Sequence, residues 1–264
     1  MELMRQATSA CIALWRSLLG AIIFYTIFPI PTKWQPSFYK IARWCPFVGL
    51  FIGGILSSVF LGLTALKASN LIIGAAVTGL WLLITGGLHL DGAMDSADGL
   101  AVIDPAKRLE VMADSVTGAF GAMTAVLILL FKFAAIASLA PQNWWLLLIT
   151  PMWGRWSQVT AIAFFPYLKP AGKGAFHKQD FHLKTDLLFA SIPNICSFVL
   201  LLLCLNHIEL SIFIIFFVAL AVAIAISLWF ARQFGGHTGD TYGAVVEWSE
   251  SNFLLLSCIL LTPQ

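Results

Sequence analysis

Stretches of about 20 mostly apolar residues, the length a helix needs to cross a bilayer, recur from one end of this chain to the other. They lie near 11–30, 45–66, 71–88, 118–140, 144–166, 187–205, 210–230 and 244–261. With 59% hydrophobic and only 11% charged residues among 264, a soluble domain has no core large enough to hide them. In lipid, backbone polar groups must be satisfied within the spanning segments. The expected fold is therefore all-α: a polytopic membrane helical bundle of seven to eight transmembrane or re-entrant helices. The first stretch is the weakest, because Arg16 and the Pro29/Pro31 pair shorten it, and it reads equally as a re-entrant or interfacial helix. No small-x-small cleavage site follows it, so it is read as retained. Residues 1–264 show no soluble second domain, low-complexity tract or convincing repeat, and are read as a single membrane domain.

The connections alternate between short turns (Lys67–Asn70, Pro141–Asn143, Asn206–Glu209) and longer polar loops. The long loops carry Lys33, Lys40, Arg43, Lys107, Arg108, Lys169, Lys173, Lys178, Lys184 and Arg232, whereas the short turns offer only Lys67. By the positive-inside rule the long loops are expected to be cytoplasmic. Trp144 and Trp145 are expected to anchor the opposite face, and Lys132 to snorkel toward that interface. A formal charge of +2 without a basic block gives no reason to expect nucleic acid as a partner. The five cysteines form no C-x-x-C pair, so neither a disulfide framework nor a zinc site is indicated.

The acids are concentrated. Between two apolar runs, Thr85–Leu100 carries Asp91, Asp95 and Asp98. On a helix these fall at i, i+4 and i+7 and project from one face. Stacked like charges repel unless a cation lies among them, and hard oxygen ligands suit Mg2+ or Mn2+ rather than zinc. A solvated polar loop or an ordinary helix N-terminus is the alternative. Further on, Asp104-Pro105 has the form of an N-cap with proline at N1, predicting a short surface helix that delivers Asp114 to the membrane face. Near the C-terminus Asp240 and Glu247 are seven apart on one expected helix face, with Glu250 beside it. Acids within a span usually face a polar interior, so Asp240 and Glu247 are candidates to complete the site or act as base.

Arg155, between Trp153 and Trp156 in a span, requires an anion or a carboxylate. Arg155 and Arg232 are candidate phosphate contacts, with His89, His237 and Asp114 as further substrate-binding candidates. The loop Lys169–Lys178 suits either a phosphorylated substrate or anionic lipid, but lacks the P-loop order. No G-x-S-x-G, H-E-x-x-H or G-x-G-x-x-G is present. Phosphoryl or phosphodiester chemistry at a carboxylate-bound metal remains.

The run G-G-L-H-L-D-G-x-x-D-x-x-D-G-L at Gly86–Leu100 resembles the signature of the adenosylcobinamide-GDP ribazoletransferase (cobalamin synthase) family. It is joined in order by M-x-D-S-x-x-G-A-F-G at Met112–Gly121 and G-G-x-T-G-D-x-x-G-A at Gly235–Ala244. F-P-I-P at Phe28–Pro31 and P-F-V-G at Pro46–Gly49 extend the likeness over essentially the whole chain. Ile27 and Val116 depart from it, standing where many members are expected to carry Arg. The resemblance implies transfer of adenosylcobinamide phosphate from adenosylcobinamide-GDP to alpha-ribazole or its 5'-phosphate, with release of GMP. On that reading Asp91, Asp95 and Asp98 are expected to bind Mg2+ on the pyrophosphate, and Asp240 or Glu247 to complete the site or act as base, with Asp98 an alternative base. Arg155 and Arg232 are expected to hold phosphate oxygens. The lipid bilayer is the other partner, and homo-oligomerisation is left open. The acid spacing also resembles part of the CDP-alcohol phosphotransferase motif, so a lipid phosphatidyltransferase is a second reading and a cation transporter a third.

Overall fold

The computed structural model describes residues 1–169, 172, 174–204 and 209–261. Lys173 and most of the Asn206–Glu209 turn, both named above, lie outside them. The described residues form eleven α-helices and no strand, the nearest approach to a sheet being one bridge between Tyr167 and His237. The long helices are α1 (Glu2–Tyr25), α2 (Cys45–Ala65), α3 (Asn70–Thr85), α4 (Leu88–Ala101), α6 (Ala119–Ala137), α7 (Trp145–Phe164), α9 (Leu183–Cys204), α10 (Glu209–Phe234) and α11 (Gly239–Leu261); α5 (Arg108–Val111) and α8 (Ala175–Gln179) are short.

Six helical segments among the described residues are long and apolar enough to cross a membrane: Thr8–Tyr25, Ile41–Ala65, α6, α9, Leu210–Phe234 and α11. A seventh is obtained if α3 and α4 are one broken span. The protein is thus a polytopic membrane helical bundle, and the weak first stretch is long and apolar enough to span. Helix α7, expected as an ordinary span, falls short of that apolarity because its polar groups face protein. It is enclosed by α2, α9, α10 and α11, with most of its residues buried. Trp145 belongs to this core and Trp144 alone is partly exposed, so the proposed anchor of two tryptophans reduces to one.

Two consecutive glycines set the geometry of the site. Gly86 and Gly87 have φ of +59° and +71°, the left-handed region that glycine enters without a Cβ penalty. They end α3 and send α4 off at 89° to it. The polar helix that carries the acidic run is thereby laid across the bundle, against α11 and α6.

Candidate active site

Helix α4 meets α11 at two glycines. A Cβ on Gly92 would stand 2.5 Å from the Asp240 carbonyl oxygen, and one on Gly243 would stand 2.8 Å from that of His89. Only backbone fits at these points, so the helices approach closely enough for Asp91 and Asp95 to share a pocket of about 390 Å3 with Asp240. Asp114 reaches the same pocket from the segment after α5. That segment begins as expected, with Asp104 Oδ1 accepting from the Ala106 amide at 3.0 Å. Asp91 and Asp114 are exposed, Asp95 and Asp240 half-buried. Lys169 Nζ lies 3.4 Å from Asp240 Oδ2, which also accepts from Thr238 Oγ1 at 3.3 Å. The loop bearing Lys169 is pinned to the start of α11, since the Leu168 amide donates to the His237 carbonyl and the His237 amide to that of Pro166.

Asp98 shares the acidic helix but is otherwise engaged. Its two oxygens accept from the Gly118 and Gly121 amides, each at 2.8 Å. It thus satisfies orphan donors at the N-terminus of α6 and does not line the pocket. Glu247 also leaves the set expected from spacing. Two turns beyond Asp240, it faces α6 and accepts from Lys132 Nζ at 2.7 Å, while Glu250 accepts from Lys132 at 2.6 Å and from Arg155 at 2.7 Å. Lys132 is therefore buried over the Trp81 ring and does not snorkel. Arg155 has the carboxylate it required, buried inside the protein, and does not line the pocket.

Among the remaining candidates, His89 is buried and lines the pocket. His237 does not; it stacks on Tyr242 with Nδ1 3.1 Å from Thr241 Oγ1. Burial lowers its pKa to about 4. Arg232 is exposed at the end of α10, outside the pocket lining, and Ile27 and Val116 are likewise exposed. Sequence reasoning missed Tyr25, Gln158, His177 and Tyr242 as pocket residues. Tyr25 and Gln158 carry no local signal, whereas His177 lay within the Lys169–Lys178 loop and Tyr242 within the Gly235–Ala244 motif. Burial lowers the His177 pKa to about 3, leaving it neutral.

No three His, Cys, Asp or Glu side chains among the described residues are grouped as a ready-made metal cage. The donor set nonetheless fits Mg2+, which is commonly held by one or two carboxylates, waters and substrate phosphates rather than by an all-protein cage. Asp91 and Asp95, one helical turn apart at the pocket wall, are such carboxylates.

Fold and site together define a multi-pass membrane protein with a carboxylate-rimmed pocket between two glycine-packed helices. The model of the cobalamin-5-phosphate synthase family matches residues 17–258, and the chain belongs to that family. It is 50% identical to the adenosylcobinamide-GDP ribazoletransferase of Trichormus variabilis, over 92% of this chain and 97% of that protein. It is 46% identical to the protein of that name from Synechocystis, with 90% and 93% covered. The corresponding figures for Thermosynechococcus vestitus are 45%, 92% and 96%. No solved structure matches the chain.

Proposed function

We propose that this chain transfers adenosylcobinamide phosphate from adenosylcobinamide-GDP to alpha-ribazole or its 5'-phosphate, with release of GMP. The observation that carries the residue assignments is the convergence of Asp91, Asp95 and Asp240 on one pocket beside Lys169. Asp91 and Asp95 hold Mg2+, with Mn2+ an alternative. When bound, the metal supplies charge neutralisation on the pyrophosphate. Asp240 takes the proton of an acceptor hydroxyl as that oxygen bonds to the phosphorus on the cobinamide side. The bond from that phosphorus to the bridging oxygen breaks, and GMP departs with the bridging oxygen. Lys169, rather than Arg155 or Arg232, meets phosphate oxygens. Asp98 and the Lys132–Glu247–Glu250–Arg155 group hold the helices that present the pocket.

The clustering of basic residues in the long loops supports a cytoplasmic pocket in a bacterial plasma membrane. Family membership favours this activity over the lipid transferase and transporter readings.

The test is GMP release by detergent-purified protein given adenosylcobinamide-GDP, alpha-ribazole and Mg2+. GMP and a complete cobamide should form together, cease on chelation and return with Mg2+. Asp91→Ala and Asp95→Ala should abolish turnover while membrane insertion persists. Near-normal rates in both variants would remove the metal assignment, and no GMP from folded wild-type protein would remove the activity itself.

A further inference from the structure

The pocket changes character with depth. Its acids are exposed or half-buried, whereas Tyr25, His89, Gln158, His177 and Tyr242 are all buried. The inner end contains rings and no carboxylate. Tyr25 is stacked with His89 at 6.0 Å between centroids and with His177 at 5.9 Å, the planes within 23° and 18°. Phe24 sets its edge against the His177 ring at 5.0 Å.

Several polar atoms at this end have no protein partner: both ring nitrogens of His89, Gln158 Oε1 and the Tyr242 hydroxyl. Leaving one such group unsatisfied costs about 1–3 kcal/mol, and four atoms around one cavity mark a place where a ligand supplies the bonds.

We propose that this inner end seats the bicyclic aromatic base of the acceptor nucleoside, with its ribose toward the acidic rim. This rests on the transferase reading above. A pocket of about 390 Å3 suits a nucleoside and is too small for a corrinoid macrocycle, which stays outside. Between the two bases in the reaction, the chemistry of the walls decides. An N-ribosylated benzimidazole has one ring-nitrogen acceptor, no N–H and an otherwise apolar edge. It calls for one donor, which His89 or Tyr242 provides, among apolar and aromatic walls. Guanine presents N–H donors that call for a carboxylate, and the carboxylates lie at the rim. Gln158 Oε1 is left to accept from a ribose hydroxyl.

The experiment uses the full chain in detergent, with alpha-ribazole and GMP as separate equilibrium-binding probes and steady-state kinetics on both substrates. His89→Leu and Tyr242→Phe are compared with wild type; the second removes only a hydroxyl that has no protein partner, so folding is retained. At least one variant should bind alpha-ribazole and use it with a Kd and KM raised about tenfold, the worth of one good hydrogen bond to a buried site. GMP binding and the donor KM should move less than twofold. Weakened GMP binding with an unchanged acceptor KM would place guanine here and overturn the proposal. So would unchanged affinity for both probes in both folded variants. Either result with an active wild type leaves the transferase reading standing, whereas an inactive wild type that still binds alpha-ribazole removes that reading and retains the seat.

Discussion

Gly92 of α4 lies against the backbone of Asp240 on α11, so closely that a Cβ would stand 2.5 Å from the Asp240 carbonyl oxygen. The pocket's acidic rim exists because these two helices touch there. In an exposed helix, Gly→Ala would stabilise by about 1 kcal/mol. Here overpacking, at about 1–3 kcal/mol, opposes and outweighs it. Gly92→Ala should still insert but release GMP at least about tenfold more slowly, because Asp91 and Asp95 part from Asp240. Full activity with a raised melting temperature would show that the contact is loose.

Asp98 and Asp91 sit on one helix face but should fail differently. Asp98→Ala strips two α6 amides of their acceptor and should lower stability by about 1–3 kcal/mol, read as a fall in Tm. Asp91→Ala, on an exposed residue, should leave Tm within error and remove turnover. The reverse pattern would return Asp98 to the metal site.

The buried group of Lys132, Glu247, Glu250 and Arg155 balances two positive charges with two negative ones. Lys132→Met leaves a surplus carboxylate and should destabilise by about 3–5 kcal/mol. Adding Glu247→Gln restores neutrality and should recover much of that loss. A single variant as stable as wild type would mean that Lys132 does reach an interface.

Acid should weaken the fold through two histidines outside the spans. His177 and His237 are held neutral by burial, with pKa values lowered from 6.5 to about 3 and about 4. Below pH 6.5 the unfolded chain binds protons that the native state refuses, so stability falls as pH falls through that window. The limiting slope is about 1.4 kcal/mol per pH unit for each histidine. Thermal unfolding between pH 7 and pH 5 checks this. His177→Gln should flatten the curve, and an unaltered curve would show that His177 titrates normally in the fold.

Much of this protein is local information. Apolar runs of spanning length put all eight stretches into helices, and the spacing of Asp91, Asp95 and Asp98 put them on one helix with the order of motifs intact. Where each acid points is a different matter, because helical periodicity names a face but not what lies opposite. Asp98 faces the first amides of α6, so it is a cap; Asp91 faces open pocket, so it is free to bind. Asp240 and Glu247 share a face by spacing, yet α4 crosses one and Lys132 of α6 meets the other. Tyr25, Gln158, His177 and Tyr242 come from four helices, and no pattern along the chain relates them. Hydrophobicity and spacing act between neighbours in sequence and determined the helices, the membrane and the acidic run by themselves. The pocket depends on the local bend at Gly86–Gly87 and, beyond it, on the packing of Gly92 against Asp240 and of Gly243 against His89, long-range contacts that only the tertiary structure decided.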